Sequence, residues 1–222
     1  MIARYAVLLA LVGCFADRSG TAVGNPTMDA QLARVAGATV DSATLPVESV
    51  SFALCDGSGV STATPGTLDL LRRDAVVMPA GSVCAIEVIP SGKLEIRGTT
   101  DGGRALAVDV ETAGIRLTPV SAAPGAYVLE FGTPDFVDVS GTTEDVRIMV
   151  GDAGYDAVLL AVETGSALFI DHDPFGTISA EERAWGPVAV ATPLADTDTD
   201  TDTDTDTDTD TDTDTAVDTD TP

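Results

Sequence analysis

Val47-Glu48-Ser49-Val50-Ser51-Phe52-Ala53-Leu54-Cys55 takes a period of two, with Val50, Phe52 and Leu54 on one face and Val47, Ser49, Ser51 and Ala53 on the other. A period of two with one greasy face is the pattern of a half-buried strand, because successive side chains of an extended chain point to opposite sides. Asp56-Gly57-Ser58-Gly59 then reads as a turn. The same alternation of short apolar runs and turn residues continues downstream. Strands are expected at 67–71, 82–89, 93–98, 104–110, 115–118, 126–131, 146–150, 157–162 and 167–170. Pro79-Ala80-Gly81, Pro90-Ser91-Gly92, Asp101-Gly102-Gly103, Ala113-Gly114 and Pro124-Gly125 turn the chain between them. A hairpin through Glu163-Thr164-Gly165-Ser166 is expected to join the last two. Short strands with turn signals roughly every 8–12 residues point to an all-β fold, read as one antiparallel β-sandwich of about eight to ten strands. No strand–helix–strand alternation is visible, which argues against a doubly wound sheet.

Residues 40–193 form the expected sandwich domain, long enough for one well-buried core. Residues 14–39 carry Gly20, Gly24, Pro26 and Gly37 and read as a flexible tether. Within it, 28–36 fits either a short helix capped by Thr27 or a first strand, and both readings stand. Residues 194–222 are almost pure Asp-Thr. Alternation there offers no apolar face, and like charges on every second residue extend the chain, so a disordered tail is expected. The formal charge is −25; the tail accounts for 12 aspartates, which leaves 24 acidic against 11 basic residues, or −13, elsewhere. Such a surface repels nucleic acid and anionic headgroups and favours cations or cationic partners.

At the other end, Arg4 is followed by seven apolar residues over 6–12 and then by Gly13 and Cys14. A charged start, a short greasy run and a small residue before the cut mark a secretory signal. The run is well short of the roughly 20 residues that span a bilayer. Leu11-Val12-Gly13-Cys14 resembles the bacterial lipobox at every position. The resemblance implies cleavage after Gly13, residues 1–13 being a lipoprotein signal peptide. It also implies lipidation of the Cys14 thiol, with palmitate-type acyl chains holding the protein to a membrane. Each buried methylene contributes about 0.8 kcal/mol, and stable anchoring takes more than one chain. Phe15 and Ala16 stand where lipoproteins retained in the inner membrane often carry Asp. The resemblance therefore favours the outer membrane of a cell envelope, on its periplasmic or its surface face. Export leaves Cys55 and Cys84 in an oxidising compartment, where a disulfide is the expected state of such a pair.

Two further likenesses concern the body. Pro124-Gly125-Ala126-Tyr127 resembles the Pro-Gly-x-Tyr strand entry of transthyretin-like and carboxypeptidase-regulatory-like domains, which implies an immunoglobulin/transthyretin-like sandwich. Asp69-Leu70-Leu71 followed by Pro79-Ala80-Gly81 resembles a bacterial lipoprotein domain family of unknown function, from which it departs at Val83 and Cys84. The Asp-Thr tail looks like spacers of lipoproteins from large-genome Gram-negative predatory and soil bacteria.

Residues 171–182 resemble the EF-hand calcium loop. Asp171, Asp173, Thr177, Ser179 and Glu182 fall on ligand positions, with Gly176 at the turn. A hard cation needs six to eight oxygens and a closing bidentate Glu. Phe175 removes one oxygen, and Pro174 stiffens the loop. The competing and favoured reading is structural: Ser179-x-x-Glu182 is a capping box for a short helix ending near Trp185, before Gly186-Pro187. Calcium is thus the one cofactor for which the sequence offers a site. His172, the only histidine, is flanked by Asp171 and Asp173, but no Gly-x-Ser-x-Gly elbow accompanies it. It reads as a solvated turn residue, and Trp185 with Phe175 as a cover for the end of the core. No catalytic residue is expected. The function read from these features is a non-enzymatic, membrane-anchored envelope module for interaction or structure, its partner an unknown envelope protein or glycan. The alternative is a calcium-dependent adhesion or carbohydrate-binding module using 171–182.

Overall fold

The computed structural model describes residues 26–118, 126–172 and 178–194. The chain opens with β1 (Thr27–Leu32), β2 (Ala38–Leu54), β3 (Val60–Ala63), β4 (Gly66–Asp69) and β5 (Ala75–Val77). It continues through β6 (Val83–Pro90), β7 (Leu94–Thr100), β8 (Ala105–Val110), β9 (Ile115–Thr118), β10 (Ala126–Phe131) and β11 (Val146–Ile148). Helix α1 (Tyr155–Gly165), β12 (Ala167–Asp171), helix α2 (Ala180–Trp185) and β13 (Ala189–Pro193) complete it.

The fold is mostly β, as expected, but the two packed antiparallel sheets of a sandwich do not form. One mixed sheet curls strongly into a half-barrel, in the order β11-β8-β7-β2-β6-β9-β13-β12-β10-β1-β5, with β3 and β4 also paired to β2. Two pairs are parallel: β1 with β10, and β11 with β8.

The curl follows from β2. Its 17 residues are too many for a flat strand in a small domain, and three register shifts, at Val40/Ser42, Val47/Ser49 and Ala53/Leu54, bend it. Its first half pairs with β7 and its second half with β6, so two arms of the sheet diverge from one strand. Near the first shift the backbones pass so closely that a Cβ on Gly98 would lie 2.2 Å from the Thr39 carbonyl oxygen. Only glycine fits there. Leu70, just after β4, then ties the curl together: its N–H donates to the Ala43 carbonyl of β2, and its carbonyl accepts from Leu32 N–H of β1.

The hollow of the curl is the core. Val50 and Phe52 from β2, Ile86 and Val88 from β6, Ile96 from β7, Val108 from β8, Leu117 from β9 and Leu129 from β10 are all buried in one cluster. The stretch expected as a strand at 157–162, with its hairpin, is instead α1. Tyr155, Val158 and Val162 lie at helical spacing, and all three are buried in this cluster. The helix touches β8 on one arm and β13 on the other. The Tyr155 hydroxyl donates to the Glu111 carbonyl and accepts from the Glu111 N–H. The Thr112 hydroxyl donates to Glu163. Helix rather than strand wins here because a helix carries one continuous apolar stripe across both arms.

Residues 27–32, expected within the tether, form β1, with Met28 and Ala30 fully buried. The folded body therefore begins before Val40. Residues 146–190 belong to the same sheet, since β11 pairs with β8 and β12 with β10. The expected signal peptide, Cys14, most of the tether and the Asp-Thr tail lie outside the described residues.

Candidate functional site

The two faces of β10 divide the molecule. Tyr127, Leu129 and Phe131 point into the core, whereas Val128 and Glu130 point outward. On the outer face Val128, Ala167, Phe169 and Ile178 make a second, small apolar cluster. Helix α2 lies over this face. Glu130, only 2% exposed, receives both guanidinium nitrogens of Arg183 and the Gln31 side-chain amide at 2.7 Å. The Arg183 guanidinium also sits 5.9 Å from the centre of the Phe169 ring. A bidentate guanidinium–carboxylate pair is the geometry that makes burial of such a charge tolerable.

The start of α2 is the capping box read from the sequence. The Ser179 hydroxyl accepts from Glu182 N–H, while Glu182 Oε2 accepts from both the N–H and the hydroxyl of Ser179 at 2.8 Å. Glu182 Oε1 accepts from the His172 N–H at 2.7 Å, closing the end of β12 against α2. Burial alone would raise the Glu182 carboxyl. The N–H groups of Ser179 and His172, the Ser179 hydroxyl and the nearby His172 ring outweigh it and hold the carboxyl below the usual glutamate range.

Of the residues read as calcium ligands, Asp171 ends β12 opposite Ala126, and Ser179 and Glu182 are engaged in the cap. Asp173 and Thr177 lie outside the described residues. Among the described residues no three His, Cys, Asp or Glu side chains converge as a metal site. Cys55 and Cys84 are bridged, with Cα atoms 5.0 Å apart, where the end of β2 meets the start of β6. Both residues are exposed.

No protein-family model matches the chain, and neither a curated protein nor a solved structure matches it significantly.

The expectation that Trp185 covers the end of the core is corrected. It is 61% exposed, and its ring meets His172 edge-to-face with centroids 4.8 Å apart. The helix ends directly after it at Gly186, whose φ of 85° ends the helical path and leaves the indole beyond the last turn. Beside it Ile170, Pro187 and Val188 wall a half-open cleft of about 200 Å³, with Glu182 also on its lining. Sequence reasoning missed this cleft. A Gly-Pro stop after an aromatic is a visible signal of a ring left at a helix end, but not of what stands beside it.

Two measurements test the cap. Ser179→Ala is expected to cost about 1 kcal/mol in urea denaturation, the usual loss for an N-cap. Because the native Glu182 carboxyl is lowered, its stabilisation is present above the ordinary glutamate pKa and is lost as pH falls through the native value. Wild type should therefore lose stability in that acid window, and Glu182→Gln should flatten this part of the pH dependence. Parallel curves for the two proteins would show that the carboxylate contributes nothing.

Proposed function

We propose that this chain is an exported lipoprotein, anchored to the cell envelope through Cys14, whose β body is a non-enzymatic interaction or structural module. Leu11-Val12-Gly13-Cys14 after the apolar run 6–12 carries the reading. The Cys55–Cys84 bridge is consistent with an oxidising compartment. The outer membrane fits Phe15 and Ala16 after the cysteine, with the membrane as one partner and an envelope protein or glycan as the other. A non-enzymatic role is supported by how the polar groups are engaged. Glu130, Arg183, Ser179 and Glu182 all hold α2 in place through reciprocal bonds, and such groups are braces rather than reactive centres.

The mass of membrane-extracted protein tests this reading. It should correspond to a chain beginning at Cys14 with added acyl mass, and Cys14→Ser should move the protein to the soluble fraction, uncleaved. A membrane-free wild type with residues 1–13 still attached would refute it.

A further inference from the structure

The cleft beside Trp185 holds a carboxylate that no Lys or Arg among the described residues pairs with. Glu182 is 4% exposed and lies on the lining of the cleft. A carboxylate offers about four acceptor sites. Three of them are taken, by His172 N–H, Ser179 N–H and the Ser179 hydroxyl. Neutral donors satisfy hydrogen bonds but do not cancel a charge. The neighbouring cation, Arg183, is committed to Glu130, and among the described residues no Lys or Arg is ion-paired with Glu182. The same cleft is lined by the exposed Trp185 indole, the aromatic surface best suited to a cation. Among the described residues the rest of the wall is Ile170, Gly186, Pro187 and Val188, with the His172 ring alongside.

We propose that this cleft binds a quaternary ammonium group, held between the Trp185 indole and the negative charge of Glu182. The choice of ligand follows from the remaining bonding capacity. A sugar or a primary amine gains its affinity by hydrogen bonding, and Glu182 has about one acceptor site left for it. A quaternary ammonium has no N–H to satisfy and responds to charge and to an aromatic ring alone. Size agrees: a cavity of about 150 Å³ takes benzene, so about 200 Å³ admits a trimethylammonium head. The assignment rests on the folded body and stands whether or not Cys14 carries lipid.

The chain has a single tryptophan, so its emission reports on this cleft and not on cations gathered by the acidic tail. The full chain is titrated with tetramethylammonium chloride at pH 8, ionic strength being held constant with NaCl. A saturable emission change in the millimolar range is expected, with none for glucose. Glu182→Gln should weaken binding by about tenfold while the body still melts cooperatively. Should that variant not fold, Trp185→Phe followed by calorimetry decides in its place. A loss of affinity of about threefold or more is expected, and unchanged heats overturn the proposal. An emission change reproduced by NaCl alone also overturns it. So does tighter binding of n-butylammonium, which would make the site one for primary amines, or saturation by glucose, which would make it a sugar site.

Discussion

Replacing Arg183 by alanine should lower the stability of the body by about 3 kcal/mol, seen as a fall in the urea midpoint at unchanged slope. The size comes from what is left behind. Glu130 is 2% exposed, and without Arg183 its carboxylate keeps only the Gln31 amide. Breaking a buried ion pair from one side typically costs about 3–5 kcal/mol. The lower end applies because the Arg183 side chain is itself 33% exposed, so water screens part of the pair. The companion variant separates charge from shape. Gln31→Leu, Glu130→Leu and Arg183→Met together remove every buried polar atom of the triad and should regain most of the loss. If the single change costs under about 0.5 kcal/mol, the pair behaves as an ordinary surface salt bridge and does not hold α2.

Removing the disulfide should be equally costly. Cys55 and Cys84 are 29 residues apart, and closing such a loop restricts the unfolded chain by about 3–4 kcal/mol. Cys55→Ala with Cys84→Ala should lower the melting temperature of the folded body accordingly. Because both cysteines are exposed, a thiol reductant should reach the bridge without prior unfolding and produce the same shift in wild type. The bridge lies where β2 meets β6, beside the register shift between Ala53 and Leu54. Hydrogen exchange should therefore quicken first at that end of the pair, and uniform exchange across β2 would contradict the assignment.

Strand existence was legible over much of the chain. β9 and β10 begin and end where the alternation of residues 115–118 and 126–131 places them, and β6, β7 and β8 differ from expectation by a residue or two. Local period and turn chemistry suffice for this because both act between neighbours in sequence. The capping box at Ser179 and Glu182 was legible for the same reason. β3, β5 and β13 were not foreseen. They are three to five residues long, too short for a period to show, and form because a neighbouring strand offers its edge. α1 was misread because Val158 to Val162 is a continuous apolar run, equally suited to a buried strand. The helical spacing of Tyr155, Val158 and Val162 becomes decisive only when two arms of a sheet stand ready to receive one stripe.

By itself, then, the sequence determined that the chain is strand-rich, where most turns fall, which two cysteines of the body are available to pair, and that Ser179 starts a helix. Only the tertiary structure decided that the strands form one curled sheet rather than two packed ones, that β1 runs parallel to β10, and that Gln31 and Arg183 meet on Glu130. The reason is distance along the chain. Met28 meets Tyr127, and Gln31 meets Glu130, across about a hundred residues, and no local pattern encodes which edge a strand will join. That choice is made by burying the whole core at once.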